Sequence, residues 1–187
     1  MSFLEIVAFA TSLIGVILGV LGPRTTWPWW NISSLLYAAL FFQSAYYASA
    51  ALQFIFIAGG FWGWFGWGKS GAKPRHSTNK ERLILTLMLI VSSFALYPVL
   101  IGIGATSSAI ESFGFVGSVM AQVLMVLQRF EAWPLWFVVD AAYTYQYLTG
   151  KLYLTSFLYL IFTAVAIWGL IRWQREAKAN GLPKFIK

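Results

Sequence analysis

The chain consists of long apolar runs separated by short polar segments or segments rich in Gly and Pro. Each run is close to the roughly 20 residues that an α-helix needs to cross a bilayer. The pattern predicts seven helices, at about Phe3–Leu21, Pro28–Tyr46, Tyr47–Trp67, Arg82–Gly102, Ile110–Leu127, Pro134–Thr149 and Tyr153–Trp173. We therefore predict an all-α membrane protein whose seven transmembrane helices lie in a lipid bilayer.

Composition agrees with this prediction and narrows the possible functions. Of the 187 residues, 59% are hydrophobic and 10% are charged, whereas about 25% of residues are charged in soluble domains. The chain has no cysteine, and its single histidine, His76, lies in a basic segment. Disulfides, haem and most metal sites are therefore disfavoured, and no metal or cofactor is expected. An enzyme is also disfavoured, because no nucleophile and base can be placed together within the predicted spans.

Positive charge is distributed unevenly between the two predicted sides of the membrane. If successive helices alternate in direction, twelve Lys and Arg residues fall on one side and only Lys151 falls on the other. Cytoplasmic loops are enriched in Lys and Arg, so the N-terminus is predicted outside and the C-terminus in the cytoplasm. The net charge of +7 thus reflects topology. No nucleic-acid partner is expected, because no basic face alternates with aromatic residues.

Tryptophan is frequent near the predicted helix ends. Trp rings often sit at the membrane–water interface, which predicts an interfacial belt of Trp27, Trp29, Trp30, Trp64, Trp67, Trp133 and Trp173. Small residues let membrane helices approach closely, so the glycines of helix 3, at 59, 60, 63 and 66, predict tight packing.

An internal repeat covers most of the chain. A shift of 106 residues superimposes Trp27–Trp67 on Trp133–Trp173 without a gap, and 12 of the 41 aligned positions are identical. Two three-helix halves, 1–68 and 105–187, would then flank a segment, 69–104, that holds the basic loop and helix 4. Since both halves start outside and end inside, we predict a 3+1+3 parallel tandem repeat about an axis along the membrane normal. A functional site is expected between the halves.

The acid Asp140 lies in the middle of a predicted span. A carboxylate in hydrocarbon costs at least ~2.5 kcal/mol, so it requires a partner or a function. Trp136, Asp140, Tyr143 and Tyr147 follow one another at i, i+4, i+7 and i+11, which places them on one helical face. The competing interpretation is a structural acid bonded to a neighbouring Ser or Tyr.

Further polar and aromatic side chains in the spans complete the candidate binding site: Trp30, Tyr37, Gln53, Gln122 and Tyr159. Under the 106-residue shift Gln53 corresponds to Tyr159, so a repeated scaffold carries a different polar lining in each half. Such a lining suits an asymmetric small molecule that a few polar groups orient within an aromatic wall. A cationic ligand would neutralise Asp140 and gain roughly 0.5 to 2 kcal/mol from cation–π contacts. Hydrogen bonding between helices is the alternative role for Gln53 and Gln122.

Several motifs resemble those of the Pnu vitamin transporters, and the similarity covers nearly the whole chain. WPxW opens helices 2 and 6, WGW occupies Trp62–Trp64, and WPLWxVVD and GKLYLTxxLY occur in helices 6 and 7. A further similar run crosses helices 2 and 3: Phe41, Phe42, Gln43, Tyr47, Ala48, Ser49, Leu52 and Gln53.

The resemblance implies a fold akin to the SWEET sugar transporters and facilitated diffusion, or uniport, of nicotinamide riboside across a bacterial inner membrane. It also implies that a separate cytoplasmic kinase traps the substrate by phosphorylation. Trp136 and Asp140 match the family's W-x-x-x-[ND] substrate motif, and Gln53 matches its helix 3 glutamine. Some nicotinamide riboside members instead have Asn at the positions of Gly60 and Asp140.

Other functions stay open at this point. Thiamine and riboflavin are alternative substrates, and thiamine shares the positive charge of nicotinamide riboside. A vitamin-binding subunit of an ATP-driven importer has similar size and hydropathy, although the tandem repeat counts against it. The sequence also leaves open whether the chain forms a homo-oligomer.

Overall fold

The computed structural model describes residues 3–44, 46–102 and 108–179 of the chain, and side chains up to residue 176. Within these ranges it contains seven helices: α1 (Phe3–Leu21), α2 (Thr26–Gln43), α3 (Tyr47–Trp67), α4 (Asn79–Gly102), α5 (Ser108–Val126), α6 (Ala132–Thr149) and α7 (Tyr153–Ala179). The predicted basic residues Lys184 and Lys187, and the predicted boundary between 104 and 105, lie outside the described residues.

The predicted helices are all present, and the differences lie at their ends. Helices α1 and α3 have the predicted bounds, whereas α2, α4, α5 and α6 begin two or three residues earlier than predicted. Pro28 and Pro134 therefore lie inside the first turn, where proline is tolerated because its missing N–H has no helical partner. Helix α7 continues beyond the apolar pattern to Ala179, and an Arg172–Glu176 ion pair of 2.9 Å spans one of its turns.

Five of the seven described helices, α1, α3, α4, α5 and α7, are long and apolar enough to cross a membrane. Helices α2 and α6 fall short on this measure, although each has 18 residues. Both carry polar side chains in mid-helix, Asn31 with Ser33 and Ser34 in α2, and Asp140 with Thr144 in α6. Polar groups at membrane depth are expected to face the interior of a bundle or a cavity. The composition of α2 and α6 therefore marks them as lining helices.

The helices pack as two groups of three with one helix outside them. Helix α2 packs between α1 and α3, and α6 packs between α5 and α7. The two groups meet where α1 contacts α7 and where α3 contacts α5. Among the described residues α4 packs against α5 alone, and Leu100 is its single buried side chain.

Four tryptophans expected at the membrane interface lie in the core instead. Trp27 packs edge-on against Trp67 at 4.8 Å, and Trp133 packs edge-on against Trp173 at 5.4 Å. All four side chains are at most 3% exposed. A position near a helix end does not determine whether a ring points outward or inward. For Trp27 and Trp133, a glycine on the third helix of the group leaves room for the ring.

Gly63 and Gly169 are equivalent under the 106-residue shift, and each makes the same contact in its group of helices. A Cβ at Gly63 would overlap the ring of Trp27, and a Cβ at Gly169 would overlap the ring of Trp133. Each Trp therefore lies directly against the backbone of the third helix of its half. Close packing at helix 3 glycines, predicted from sequence, holds at positions 59, 60 and 63, whereas Gly66 faces mostly open space.

The basic loop before α4 is held against the turn between α5 and α6. Arg82 forms an ion pair of 2.7 Å with Glu131, which also accepts a hydrogen bond from the backbone N–H of Ser77. Arg129 pairs with Glu81 at 3.0 Å. Burial by itself raises the pKa of Glu131, but its hydrogen bonds, including those from Arg82 and Ser77, outweigh burial and lower that pKa below its ordinary value. Glu131 therefore stays ionised at neutral pH and keeps its ion pair.

We predict that Gly63→Ala destabilises the bundle because the added methyl group displaces Trp27. Overpacking of this kind costs typically about 1–3 kcal/mol, and Gly169→Ala is expected to cost as much. Gly66→Ala is the matched control on the same helix, since its Cβ would meet only the Val126 carbonyl oxygen at 3.9 Å. The thermal unfolding midpoint in detergent should fall for the first two variants and not for the third. Equal midpoints for Gly63→Ala and Gly66→Ala would refute this account of the packing.

Candidate functional site

A cavity lies between the two three-helix groups. Its volume is about 740 Å³, which includes the part that is open to solvent. Six helices line it, all except α4, through Ser12, Gly15, Val16, Trp30, Ser33, Ser34, Tyr37, Gln53, Phe56, Ser118, Trp133, Trp136, Asp140, Tyr159, Phe162 and Ala166. Small-molecule sites are typically concave, mostly apolar and furnished with a few placed polar groups, and this lining has that character.

The structure brings six of the nine predicted site residues to this cavity: Trp30, Tyr37, Gln53, Trp136, Asp140 and Tyr159. Gln53 and Trp136 are 83 positions apart in sequence and meet at the same cavity. The other three residues, Gln122, Tyr143 and Tyr147, are buried next to it without lining it, and each is at most 2% exposed.

Each of those three side chains is directed elsewhere by a particular contact. Tyr143 lies against Gly114 of α5, where a Cβ would overlap its ring, while Tyr37, its repeat equivalent, lines the cavity. Tyr147 donates a hydrogen bond of 3.2 Å to Ser49 Oγ. Gln122 packs onto Gly59 of α3, and neither its amide nitrogen nor its oxygen has a hydrogen-bond partner among the described residues. The four residues of the helical face predicted for α6 are all buried, but only Trp136 and Asp140 line the cavity.

Asp140 is the acid of the cavity. Its side chain is buried, with 4% of the residue exposed. The hydrogen bond recorded at this residue comes from Thr144 Oγ1 to its backbone carbonyl, at 2.7 Å. Its carboxylate receives no hydrogen bond from the part of the chain that the structure describes, and no Lys, Arg or His lines the cavity. The described residues thus show no Ser or Tyr bonded to this carboxylate, and its role in binding stays a prediction.

Aromatic rings form the wall next to this carboxylate. Trp136 lies 6.0 Å from Trp30 and 5.8 Å from Phe56, measured between ring centroids. The indole N–H groups of Trp133 and Trp136 are buried without an acceptor in the described residues. Buried donors are normally satisfied, so unsatisfied ones in a cavity point to a missing partner. The cavity thus offers flat aromatic faces, two donors and one carboxylate.

The 106-residue shift pairs lining residues of the first group of helices with lining residues of the second. Five equivalent pairs line the cavity: Ser12 and Ser118, Trp30 and Trp136, Ser34 and Asp140, Gln53 and Tyr159, and Phe56 and Phe162. Three of the pairs are identical, Ser12 and Ser118, Trp30 and Trp136, and Phe56 and Phe162, whereas the other two pairs differ in chemistry. The difference between Ser34 and Asp140 places a carboxyl group on one side of the cavity only.

Sequence reasoning missed several residues of the lining. Phe56 and Phe162 could have been found, because they are identical in the repeat and each follows a predicted site residue by three positions. Ser12 and Ser118 are also identical under the 106-residue shift, but a serine in a membrane helix commonly bonds its own backbone, so neither stood out as a site residue. Asn31 was missed as well: it packs against Gly60, and its Oδ1 atom is buried without a partner in the described chain.

Fold and site together define a class of protein: a helical, multi-pass membrane protein that encloses a small-molecule cavity between two similar groups of helices. The family model described as nicotinamide mononucleotide transporter matches residues 2–175. The chain belongs to this family and is therefore an inner-membrane transporter rather than an enzyme. The resemblance drawn from its motifs is confirmed.

Individual relatives agree with this assignment. The chain is 24% identical over 212 residues to the nicotinamide riboside transporter PnuC of Escherichia coli, covering 97% of this chain and 89% of the relative. It is 24% identical over 188 residues to the riboflavin/roseoflavin transporter RibM of Streptomyces davaonensis, covering 92% and 86%. A crystal structure of the vitamin B3 transporter PnuC superimposes with a TM-score of 0.83 at 23% identity, over 95% of this chain and 83% of that chain.

Proposed function

We propose that this transporter carries nicotinamide riboside by facilitated diffusion. The observation that supports the proposal most directly is the Asp140 carboxylate, buried in an aromatic cavity whose lining contains no cationic side chain. Nicotinamide riboside carries a positive charge on a flat pyridinium ring. The carboxylate would attract this charge, and the faces of Trp30 and Trp136 would stack on the ring. The hydroxyl of Ser34 and the amide of Gln53, which line the same cavity, would then meet the ribose.

Riboflavin is the second candidate substrate, because RibM is as similar to this chain as PnuC is, at 24% identity. Riboflavin is neutral and gives the Asp140 carboxylate no charge to neutralise. Thiamine is cationic and fits the same electrostatic reasoning as nicotinamide riboside. Titrating the purified protein with all three vitamins separates these candidates, and the tightest binding is expected for nicotinamide riboside.

The two groups of helices are proposed to be halves of a 3+1+3 parallel tandem repeat with a SWEET-like arrangement. The paired lining positions, the equivalent Gly63–Trp27 and Gly169–Trp133 contacts, and the equivalent α1–α7 and α3–α5 interfaces support this proposal. Segments 1–68 and 105–187 would be the halves, and 69–104 would carry the chain back across the membrane. A cavity at the pseudo-axis lets one substrate contact both halves at once.

We predict uniport, with trapping by a separate cytoplasmic kinase. Asp140 is the one acid in the cavity lining, and no basic side chain lies with it to form a proton relay. In proteoliposomes without ATP or an ion gradient, labelled nicotinamide riboside should enter until its internal and external concentrations are equal. Enclosing a nicotinamide riboside kinase with ATP should then produce accumulation. Accumulation above equality without the kinase would contradict uniport, and no uptake at all would contradict the substrate.

The proposed orientation places the N-terminus outside and the C-terminus in the cytoplasm. It predicts that a cysteine at Lys151, in the turn between α6 and α7, reacts with a membrane-impermeant maleimide added to intact cells. A cysteine at Lys69, in the basic loop, should react only after the membrane is opened. The natural chain has no cysteine, so it serves as the unlabelled control. Labelling with the opposite sidedness would reverse the topology.

Asp140→Asn is predicted to weaken binding of nicotinamide riboside about tenfold to hundredfold. The variant keeps size and hydrogen bonding but removes the charge, and hydrogen bonds to charged groups contribute roughly 1.5 to 3 kcal/mol. Binding of the neutral dihydronicotinamide riboside, measured by calorimetry, should change much less. The selectivity of the wild type for the cationic form should therefore shrink in the variant.

Glu111→Gln provides the matched control for this prediction, because it removes a buried carboxylate that does not line the cavity. It should leave the ratio of the two affinities unchanged. If Asp140→Asn weakens both ligands by the same factor, the Asp140 charge has no role in recognition and its contribution is geometric.

A further inference from the structure

Two glutamates are buried at the end of the bundle that lies away from the basic loop. Glu5 is 8% exposed and Glu111 is 2% exposed, and each lies in the first turn of its helix, α1 or α5. From sequence they could be taken for acids at helix ends facing water. The 106-residue shift superimposes Glu5 on Glu111, so the repeat places one buried carboxylate in each half.

Each glutamate meets a hydroxyl group from the opposite half. Ser49 Oγ of α3 donates to Glu111 Oε1 of α5 at 3.4 Å. Thr155 Oγ1 of α7 donates to Glu5 Oε1 of α1 at 3.5 Å. The same shift superimposes Ser49 on Thr155. The two contacts are therefore one interaction used twice, once at each interface between the halves.

The pairs lie directly above the cavity. Ser49 precedes Gln53 by four residues and Thr155 precedes Tyr159 by four, so each hydroxyl is one helical turn, about 6 Å, from a residue that lines the cavity. Helices α1, α3, α5 and α7 all begin at this end of the bundle, since consecutive helices run in alternating directions. The four residues thus form one layer between the cavity and the membrane surface.

Helix α6 adds two hydrogen bonds to the Ser49–Glu111 pair. Gln146 Nε2 donates to Glu111 at 3.4 Å, and the Tyr147 hydroxyl donates to Ser49 at 3.2 Å. Tyr147 also stacks on Tyr143 at 5.5 Å. The repeat equivalents of Gln146 and Tyr147 are Leu40 and Phe41, which have no side-chain donor. The Ser49–Glu111 pair is therefore joined to α6 through Gln146 and Tyr147.

We propose that the two glutamate–hydroxyl pairs are gate contacts, which hold the halves together at this end and separate when the cavity opens to the outside. This inference rests on the proposed transport cycle and orientation, and it adds residues that do not touch the substrate. A hydroxyl is a suitable partner for a contact that breaks in every cycle. Separating a buried ion pair is far more costly, because it leaves two uncompensated charges.

The test uses Ser34→Cys as a reporter in the cavity of the otherwise cysteine-free full-length protein. Thr155→Val removes one gate hydroxyl while keeping the shape of the side chain, and Ser49→Ala removes the other. Each should raise the rate at which a membrane-impermeant maleimide, added from the side opposite the basic loop, labels residue 34, by roughly threefold to tenfold. Ser49→Ala should have the larger effect, since it also takes the acceptor from Tyr147.

Ser156→Ala is the matched control. Ser156 neighbours Thr155 and is equally buried, but its hydroxyl bonds the Thr144 carbonyl within the second half, at 2.8 Å. The reporter protein with Ser156→Ala should be labelled at the same rate as the reporter protein without it. Thr155→Ser keeps the hydroxyl group and should also leave the labelling rate unchanged. If one gate variant does not fold, the other carries the same expectation through the repeat.

Two results would overturn the proposal: gate variants that label no faster than Ser156→Ala, or faster labelling from the basic-loop side only. Uptake of nicotinamide riboside by the wild type, measured in the same vesicles, is an independent readout. If that uptake is absent while the gate variants still label faster, the substrate assignment fails and the gate stands.

Discussion

Polar side chains within a membrane have to be kept away from hydrocarbon, and this constraint shapes the whole bundle. An ionised carboxylate such as Asp140 is tolerated only where protein or enclosed water surrounds it. The two helices that are not apolar enough to count as candidate membrane spans, α2 and α6, each pack between two neighbours in their own group. Their polar faces then turn toward the other group, and a cavity between the groups is the result. The lipid-facing surface is left to apolar residues, as on α4.

Two similar groups of helices solve a second problem, which is how to build a cavity that can open. Within each group a tryptophan lies directly against a glycine of the third helix, at Gly63 and Gly169, so each group is tightly packed internally. Between the groups the described contacts at the outer end include hydrogen bonds of 3.2 to 3.5 Å and the stacking of Phe41 on Tyr147 at 5.2 Å. Glycine–tryptophan packing inside each group keeps the group rigid, and rigid groups suit the rocking movement proposed for the two repeats.

Symmetry in the scaffold coexists with asymmetry in the chemistry. Trp30 and Trp136 supply equivalent aromatic faces, whereas the equivalent positions 34 and 140 carry a hydroxyl group and a carboxyl group. A flat cationic ring attached to a sugar has a charged end and a hydroxyl-rich end, and a lining of this kind orients it. Relatives that carry nicotinamide riboside or riboflavin have the same overall similarity to this chain. Substrate choice is therefore expected to depend on a few side chains in a common frame.

Sequence alone determined the seven helices, because apolar run length is visible along one chain. The 3+1+3 repeat and the role of Asp140 in binding, which the repeated motifs and an acid within a span suggest, stay predictions. The sequence also identified six of the residues that line the cavity.

Only the tertiary structure decided which way the remaining side chains point. Trp27 and Trp133 proved to be core rather than interface residues because Gly63 and Gly169 face them. Gln122 and Tyr143 do not line the cavity because their side chains pack against Gly59 and Gly114. The hydroxyl partners of Glu5 and Glu111 lie on helices of the other group, so only the tertiary structure shows these contacts. In each case the side chain's direction depends on a residue from another helix, and helical periodicity carries no information about that neighbour.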